Sequence, residues 1–362
     1  MGAALTGPTV PLGWIVPGDV DRPTGGNVWD REVAAALRAA GTEVRWRPVA
    51  GAWPVPPEGP GDLVEALAEV GRVAVVDGLV AAAWPDVLEE ASRRARLGLV
   101  VHLPLALETG LRPDDAERLD ALETRALAAV DVVVATSQWC AGRLRGRTRT
   151  PVRVARPGTR PPALAPPDRP GDGTRLLAVG SLTPRKGHDV LLDALHRPAA
   201  PDVPWRLRLV GPAPDPAHER RLRDLAAALP HPDRVAFVGP RTGADLDAEY
   251  AWADLLVVPS HRETYGMVVT EALARRLPCL VTTGSGLEEA LGEVAGRHPG
   301  LLVPPGDAAA LADALTTWWA DADLRAGLRD LARRRGAALT APGGGWDATA
   351  AAVHDALLGA RA

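Results

Sequence analysis

One short segment combines two adjacent cations with a glycine, directly after an apolar run. In SLTPRKGHD, Arg185 and Lys186 precede Gly187, and Lys186 is the only lysine among the 41 basic residues. Two cations at the start of a helix suit a diphosphate, because they neutralise the charge that builds up on it as a leaving group. The segment lacks the GK[ST] ending of a P-loop, which excludes that motif. Coding bias explains the scarcity of lysine and solvated loop charge is the competing interpretation, but the position after an apolar run favours a binding site.

Two glutamates flank a second glycine-containing turn, in PSHRETYGMVVTEALARRLP. Glu263 lies in the loop, Gly266 permits close approach of the backbone, and Glu271 follows eight positions after Glu263 on the next helix. The N–H groups of Gly266, Met267 and Val268 would face an anion, while the carboxylates would accept hydrogen bonds from hydroxyls. This pattern suits a nucleotide sugar, which has hydroxyls on both sides of a diphosphate. A surface helix with two ordinary glutamates is the alternative.

A third segment, PGDVDRPTGGNVWD at 17–30, also follows an apolar run. Gly25 and Gly26 predict a tight turn free of side chains, and Asn27 is expected to cap the helix that follows. The N–H groups at the start of this helix could bind phosphate or sugar oxygens. The pattern is neither GxGxxG nor a Walker loop, so an ordinary strand–helix turn explains it equally well.

Short apolar runs alternate with amphipathic stretches over nearly the whole chain, which predicts buried parallel strands joined by helices. The predicted strands are 12–16, 73–76, 97–103 and 131–137 in the first half, and 174–180, 205–211, 234–239, 254–260, 278–283 and 300–305 in the second. Ligands bind beyond the carboxyl ends of such strands, where the three segments lie. We therefore predict an α/β protein with two Rossmann-like, doubly wound parallel-sheet domains that face each other across a cleft.

The stretch 156–173 is rich in Pro and Gly and interrupts this alternation, so we interpret it as the linker between the domains. The predicted domains are 1–165 and 166–340. A C-terminal helix within 341–362 is expected to pack back on the first domain.

Composition and charge exclude several classes of protein. With 46% hydrophobic and 24% charged residues the chain can form ordinary globular cores, and a net charge of −4 argues against a nucleic-acid binder. Cys140 and Cys279 form no CxxC motif and are predicted to be free, buried thiols in a reducing compartment. No apolar run approaches the roughly 18 residues of a membrane span, and no leader pattern opens the sequence. The predicted location is the cytoplasm.

The second half of the chain resembles glycosyltransferase family 4 of the bacterial type, the retaining enzymes of the GT-B fold. VGSLTPRKGHDVLLDAL is similar to that family's glycine–basic–lysine–glycine segment, PSHRETYGMVVTEALARRLP to its two-glutamate signature, and GLLVPPGDAAALADAL to its closing strand and helix. In the first half, TGGN, His102, AVDVVVATS and VRVARPG resemble the family more loosely. Two features depart from it: Arg276 stands where the family has glycine, and Ser-Gly-Leu-Glu-Glu at 285–289 replaces Gly-Gly-x-Pro-Glu.

The resemblance implies an acceptor-binding first domain, a donor-binding second domain and roles for individual residues. Arg185 and Lys186 would hold the donor diphosphate, and Glu263 the donor sugar. Glu271 would accept hydrogen bonds from the ribose, and His102 would lie close to the reacting sugar and the acceptor. His102, Arg185, Lys186 and Glu263 are thus the predicted catalytic residues. The other predicted donor-binding residues are Gly25, Gly26, Arg241, Thr264, Tyr265, Gly266, Met267 and Val268, and the other acceptor-binding residue is Asn27.

The expected reaction is transfer of a hexose from a nucleoside-diphosphate sugar, with a UDP-sugar favoured, to a small-molecule acceptor with retention of configuration. The leaving phosphate would help to take the acceptor proton, and neither a cofactor nor a metal is expected. The DxD patterns at 321–323 and 245–247 are more typical of helix starts. Six other histidines show no metal-ligand spacing and are predicted to lie on the surface: His188, His196, His218, His231, His298 and His354.

Two alternatives of different class remain open. One is another enzyme of the GT-B type, such as a nucleotide-sugar epimerase or a phosphorylase. The other is a non-catalytic protein that binds nucleotide sugars. The acceptor, the sugar, the nucleotide base and the oligomeric state are not encoded in any pattern that can be read from the sequence.

Overall fold

The computed structural model describes residues 10–18, 24–51, 53, 59–108, 110–163, 172–197 and 203–359. Contacts divide the chain into two compact units, of which the first contains Met1–Gly158 and Pro342–Ala362 and the second contains Thr159–Ala341. The predicted boundary between 165 and 166 lies outside the described residues.

The first unit is built on a six-stranded parallel sheet. In spatial order its strands are Val44–Val49 (β2), Leu12–Pro17 (β1), Val73–Asp77 (β3), Arg96–Val101 (β4), Val132–Ala135 (β5) and Val152–Val154 (β6). The strand β1 pairs with β2 on one side and with β3 on the other, so the order of strands reverses between β1 and β3. The sequence analysis missed β2, because this edge strand carries exposed Arg45 and Arg47 instead of a continuous apolar run. It also missed β6, which has only three residues.

The second unit repeats the same architecture. Its strands in spatial order are Gly300–Val303 (β12), Cys279–Thr282 (β11), Leu255–Val258 (β10), Arg175–Val179 (β7), Arg206–Val210 (β8) and Val235–Gly239 (β9). All neighbouring pairs are parallel, and the strand order reverses between β7 and β10. All six strands were predicted from their apolar runs. The predicted class, two doubly wound parallel-sheet units, is confirmed.

Helices connect the strands within each unit. In the first unit they are Gly25–Ala39 (α1), Gly61–Glu69 (α2), Gly78–Ala83 (α3), Pro85–Ala91 (α4), Pro113–Ala128 (α5), Gln138–Arg145 (α6) and Gly345–Leu358 (α14). In the second they are His188–His196 (α7), Pro216–Ala227 (α8), Gly243–Trp252 (α9), Met267–Ala274 (α10), Gly286–Leu291 (α11), Ala308–Ala320 (α12) and Ala322–Leu339 (α13). Short 3-10 turns cover Leu105–Leu107, Pro184–Lys186 and Pro232–Arg234.

Alternate side chains of the strands pack into separate cores on the two faces of the first sheet. Ile15 belongs to one apolar cluster and Trp14 to the other, as expected for a strand that is buried on both faces. The C-terminal helix α14 packs into the cluster of Trp14 through Val353 and Leu357. Gly98 of β4 makes room for it, because a Cβ there would lie 2.4 Å from Cδ2 of Leu357.

Two histidines predicted to be exposed are buried in the second unit. His188 and His218 are only 2% and 8% exposed, so the prediction of a surface position is wrong for both. Burial lowers the pKa of His188 to about 3, with a further contribution from the charge of Lys186. Cys140 and Cys279 are free and buried, as predicted. Among the described residues, no helix has the length and apolar character needed to cross a membrane.

Arg276, the residue that departs from the family pattern, adopts a left-handed backbone with φ of +61°. It follows the end of α10, where a chain that leaves a helix commonly needs this conformation and glycine adopts it without strain. The exposed arginine thus pays a conformational cost that the glycine of the family avoids. The departure from the family pattern at Arg276 therefore affects backbone strain.

We expect the Arg276→Gly variant to be more stable than the Arg276→Ala variant by about 0.5–1 kcal/mol. Both substitutions remove the arginine side chain, but only glycine relieves the strain of the left-handed backbone. The expected difference is what is left of this gain after the larger loss of backbone entropy of glycine on folding is subtracted. Denaturant unfolding of the two variants measures this difference. An alanine variant at least as stable as the glycine variant would contradict the assignment of strain.

Candidate active site

The two predicted cations of the second unit lie in a single 3-10 turn, Pro184–Lys186, directly after β7. Gly187 follows with φ of +65° and precedes the first residue of α7. A Cβ on Gly187 would lie 2.2 Å from the carbonyl oxygen of Pro259, at the end of β10. His261 donates its backbone N–H to the carbonyl of Arg185 at 2.8 Å. The loops after β7 and β10 are therefore in contact at the point where the strand order reverses, which is where open α/β sheets bind ligands.

Glu263 is the centre of a charged cluster in this contact. Its Oε1 accepts hydrogen bonds from Nζ of Lys186 at 2.5 Å and from Oγ of Ser260 at 3.0 Å. Its Oε2 pairs with Nη1 of Arg185 at 3.1 Å. Thr282, at the end of β11, supports the loop by donating its hydroxyl to the carbonyl of Ser260 at 2.6 Å. The structure thus brings together Arg185, Lys186 and Glu263, which are 77 residues apart in sequence.

Burial makes this cluster electrostatically strong. Glu263 is 6% exposed, and the side chains of Arg185 and Lys186 are 17% and 18% exposed. Burial alone would raise the pKa of Glu263, but the charges of Lys186 and Arg185 and the hydrogen bonds from Lys186 and Ser260 lower it to about 2. The competing interpretation, a solvated loop charge, is wrong for Lys186, because its side chain is mostly covered and already paired with Glu263.

The turn that follows Glu263 is held by its backbone. Gly266 has φ of +96° and precedes the first residue of α10, and a Cβ there would lie 2.4 Å from Cδ2 of Leu287. Gly286 donates its N–H to the carbonyl of Glu263 at 2.8 Å, and a Cβ on Gly286 would lie 1.9 Å from the carbonyl oxygen of Thr264. The unusual sequence at 285–289 therefore still packs its backbone directly against the Glu263 turn.

The start of α10 presents the predicted anion-binding groups. Met267 and Val268 are its first two residues and are partly buried, while Tyr265 is 4% exposed. The first N–H groups of any helix lack partners within the helix and carry its positive dipole end. An anion beside Gly266 would meet these groups together with the cations of the Glu263 cluster.

Glu271 is fixed by a second network. Oη of Tyr250, which is 2% exposed, donates to Oε2 of Glu271 at 2.7 Å. Arg275 donates to the backbone carbonyl of Glu271 at 2.8 Å, lies 4.9 Å from the centre of the Tyr250 ring and pairs with Asp247. Burial raises the pKa of Glu271, against the hydrogen bond from Tyr250 and the charge of Arg275. Tyr250, Arg275 and Asp247 were not predicted as site residues. Tyr250 and Asp247 lie 21 and 24 residues before the glutamate, whereas Arg275 lies only four residues after it.

Arg241 lies in the exposed turn between β9 and α9, and its Nη1 donates to the carbonyl of Pro240 at 3.0 Å. The structure does not join it to the Glu263 cluster, so its predicted contact with the donor stays a prediction.

In the first unit, Thr24 caps α1, and the predicted cap Asn27 does not. Oγ1 of Thr24 accepts the N–H of Asn27 at 3.1 Å, and Asn27 itself is 8% exposed within the helix. Gly25 and Gly26 form the first turn of α1, so the prediction of a tight turn before the helix is wrong. A Cβ on Gly26 would lie 3.1 Å from the ring of His102. This glycine therefore lets the histidine pack directly against the helix.

His102 follows β4 and lies between two buried carboxylates. Its Nε2 is 3.1 Å from Oδ2 of Asp30, on α1, and 3.4 Å from Oδ2 of Asp77, at the end of β3. Nε1 of Trp14 donates to Oδ1 of Asp30 at 3.0 Å, and the ring of Trp29 packs edge-on against His102 with centroids 5.2 Å apart. Oδ1 of Asp77 accepts the N–H of Leu79 at 2.7 Å and caps α3. This His102 cluster lies at the carboxyl ends of β1, β3 and β4, where the strand order of the first sheet reverses.

The two aspartates were missed in the sequence, although a signal was present. Asp77 directly follows a predicted strand, and Asp30 lies four positions after Gly26, on the same face of α1. Trp14 and Trp29, which contact this cluster, are 0% and 1% exposed and belong to the core.

The protonation of this cluster is shared among its members. Burial raises the pKa of Asp77 to about 6, with the charge of His102 acting against the shift and that of Asp30 adding to it. Burial lowers the pKa of His102, but the charge and hydrogen bond of Asp30 and the charge of Asp77 outweigh it, so the net shift is upward. The three donor atoms lie within 4.8 Å of one another, a grouping that could also suit a cation. Three of the four carboxylate oxygens, however, already have a hydrogen-bonding partner within the protein, and the fourth, Oδ2 of Asp77, is paired with Nε2 of His102 at 3.4 Å.

The low pKa of Glu263 predicts how stability depends on pH. The ionised carboxylate stabilises the fold fully above its ordinary pKa of 4.5, and this contribution is lost as pH falls towards 2. At pH 7 we expect Glu263→Gln to be destabilised on the order of 3 kcal/mol, and the difference from the natural chain to shrink below pH 4.5.

Denaturant unfolding between pH 7 and 3 measures this difference. Glu219→Gln is a matched control, because it removes a surface pair with Arg223 on α8 and should cost less than about 1 kcal/mol. A difference for Glu263→Gln that does not change with pH would contradict the ionic role of this residue.

Comparison with known proteins places this geometry in a family. A family model described as glycosyl transferases group 1 matches residues 162–335. A D-inositol 3-phosphate glycosyltransferase from Stackebrandtia nassauensis is 37% identical over 224 residues, which are 58% of this chain and 48% of that protein. The chain spans about half the length of the curated relatives it matches.

Solved structures extend the likeness to almost the whole chain. A sucrose-phosphate synthase from Thermosynechococcus elongatus superposes with a TM-score of 0.79 at 26% identity, covering 95% of this chain and 97% of that one. Anabaena HepE, solved in complex with UDP and glucose, gives a TM-score of 0.71 at 19% identity over 96% and 98% of the two chains, which shows a shared fold. The resemblance to glycosyltransferase family 4 is confirmed: residues 162–335 match the group 1 glycosyltransferases, and the chain has their GT-B type of fold.

Proposed function

We propose that the chain is a retaining glycosyltransferase that transfers a hexose from a nucleoside-diphosphate sugar to a small-molecule acceptor. The observation that carries this proposal is the cluster of Arg185, Lys186 and Glu263 at the strand reversal of the second sheet. It lies beside the start of α10, so cations and helix N–H groups are available to one anion. The family match and the sugar-transferring enzymes named among the relatives support the same activity.

The donor is proposed to be a UDP-sugar. HepE was solved with UDP, with UDP and glucose, and with UDP-glucose, and it shares the fold of this chain. The diphosphate would pair with Arg185 and Lys186, which now pair with Glu263. Because the pKa of Glu263 is about 2, this carboxylate stays ionised and can accept hydrogen bonds from the sugar hydroxyls. No metal is required in this scheme, since the two cations and the helix start supply the positive charge.

The ribose would be held by Glu271. Tyr250 occupies its Oε2, so Oε1 is the oxygen proposed to receive the ribose hydroxyls. Arg275 and Asp247 hold the same segment from behind, which limits the rotamers that the carboxylate can adopt. A fixed acceptor of this kind contributes to binding because less side-chain entropy is lost when the ligand arrives.

The chemistry would be electrostatic. Arg185 and Lys186 would stabilise the negative charge that grows on the departing diphosphate, and the leaving phosphate itself would take the acceptor proton on the same face of the sugar. The acceptor is proposed to be a small hydroxyl compound, and the names of the D-inositol 3-phosphate glycosyltransferases make polyols and their phosphates the first to try. The predicted cytoplasmic location belongs to this proposal and rests on the two free, buried cysteines.

The direct test is incubation with UDP-glucose and other nucleotide sugars, with and without polyols and polyol phosphates. Product analysis by NMR should show a new glycoside with the anomeric configuration of the donor. A product of inverted configuration would contradict the retaining mechanism. An isomerised donor without any glycoside would indicate an epimerase, and bound but unchanged donor would indicate a binding protein.

We expect Lys186→Ala to lower kcat by about 10²–10³ at saturating donor, because one charge that stabilises the leaving group is lost. Lys186→Arg should recover only part of this rate, since a planar guanidinium does not replace a compact ammonium. Lys186→Ala should also lose stability through its pair with Glu263, so kcat is measured below the unfolding transition. Arg221→Ala, which removes an exposed cation of α8, serves as the control. Unchanged turnover in Lys186→Ala would exclude the proposed role.

Tyr250→Phe tests the fixation of Glu271. We expect the KM of the donor to rise about tenfold, the equivalent of one hydrogen bond to a charged group, while kcat changes less than about twofold. The reason is that the ribose is held equally in the bound and the transition state. Steady-state kinetics with varied donor measures both constants. A fall in kcat with unchanged KM would place Glu271 at the reacting sugar instead.

A further inference from the structure

In the His102 cluster, the family resemblance assigns a role to the histidine alone and none to Asp30 or Asp77. We propose that Asp30 and Asp77 are positioning residues that hold His102 as a charged donor, with Nε2 turned towards the carboxylates and Nδ1 turned towards the substrate. This inference rests on the proposed function. Under this proposal His102 acts through its side chain.

The geometry fixes which ring nitrogen is available. Nε2 is 3.1 Å from Asp30 and 3.4 Å from Asp77, so its proton lies between two carboxylates. In the part of the chain that the structure describes, Nδ1 makes no hydrogen bond, and the side chain keeps 18% of its surface exposed. The ring cannot easily turn, because Trp29 packs against it and Gly26 approaches it from α1. Only Nδ1 is left to meet a ligand.

The two carboxylates are themselves held rigidly by different elements. Asp30 is fixed by the indole N–H of Trp14, within β1, and Asp77 by the backbone N–H of Leu79, at the start of α3. Asp30 is 2% exposed and Asp77 5% exposed. Two rigid, buried carboxylates therefore aim at one nitrogen from two sides, an arrangement that orients a histidine and favours its charged form.

The charge balance of the cluster suits glycosyl transfer. With both aspartates ionised and His102 protonated, two negative charges and one positive charge leave a net charge of −1. The cluster can therefore donate a strong, charge-assisted hydrogen bond from Nδ1 to a sugar hydroxyl. At the same time its excess negative charge favours the positive charge that develops on the sugar in an oxocarbenium-like transition state. A lone protonated histidine would oppose that charge.

The predicted pH dependence follows from the groups that face the ring. Among the described residues these are Asp30 from α1 and Asp77 from β3, and both raise the pKa of His102. Activity that depends on protonated His102 is lost as pH rises through that pKa. Removing a facing charge lowers the pKa, so the alkaline limb of kcat should move to lower pH. A merely structural loss would lower kcat equally at every pH.

The test uses Asp30→Asn and Asp77→Asn in the full chain. Asparagine keeps an oxygen for the Trp14 indole or for the cap of α3 while removing the charge. The titration of His102 is followed by ¹⁵N NMR, with its signal assigned by comparison with His102→Asn, and kcat is measured over the same pH range. Asp131→Asn, which retains an acceptor for the N–H of Leu97 in the same unit, is the control.

We expect His102 in the natural chain to titrate above its ordinary pKa and to be the Nε2–H tautomer when neutral. Asp30→Asn should move both the titration of His102 and the alkaline limb of kcat to lower pH. At a pH above the shifted pKa of His102 the variant should have a kcat about tenfold lower than the natural chain, and at a pH below it kcat should recover. Asp77→Asn should act in the same direction, and Asp131→Asn should change neither.

The proposal would be overturned by a His102 titration that Asp30→Asn leaves in place, or by an Nδ1–H tautomer. A loss of kcat in Asp30→Asn that is the same at every pH would also overturn it. The NMR titration needs no substrate, so failure of the proposed function has a separate signature. In that case the titration would shift as expected while the natural chain turned over no nucleotide sugar, and the substrate part of the proposal would fall with it.

Discussion

A buried carboxylate stays ionised only where positive charge and hydrogen bonds replace the water it has lost. Glu263 is such a carboxylate, and the candidate site of the second unit depends on it. Lys186 and Arg185 supply the charge, and Ser260 supplies a hydrogen bond. These partners come from the loops after β7 and β10, so the cluster joins the two strands between which the sheet order reverses. Gly187 has to be a glycine because those loops approach so closely. The same cations that stabilise Glu263 are the ones proposed to receive the diphosphate, so folding and binding use one set of charges.

The charged clusters of the two units have excess charge of opposite sign. In the second unit two cations surround one carboxylate, an excess of one positive charge that suits a diphosphate. In the first unit two carboxylates surround His102, an excess of negative charge that suits a sugar becoming positive. Each cluster lies at the strand reversal of its own sheet, because only there do loops from non-consecutive strands leave a space between them. The same architecture thus carries one cluster of charged side chains at the strand reversal of each sheet.

Much of this could be predicted from the sequence, and the limits have physical reasons. The buried strands of both sheets were readable because central parallel strands are continuous apolar runs, whereas the edge strand β2 alternates charged and apolar residues and was missed. His102 was named only through the family resemblance, whereas Arg185, Lys186 and Glu263 were readable because they follow strands. Their pairing was not, since the partners come from loops far apart in the chain. Asp30, Asp77 and Tyr250 were missed for the same reason: each acts by holding another residue, and such a role depends on contacts that only the fold creates.

The measurement that most directly tests the central claim, that these cations hold a nucleoside diphosphate, is thermal unfolding of the natural chain with UDP, GDP, ADP and TDP, each compared with its parent nucleoside. The account predicts that one diphosphate, UDP first, stabilises the protein by about 2.7 kcal/mol at a concentration of 100 times its Kd. The corresponding nucleoside at the same concentration should give far less, because it offers Arg185 and Lys186 no charge. A nucleoside that stabilises as well as its diphosphate, or no stabilisation by any diphosphate, would contradict the account.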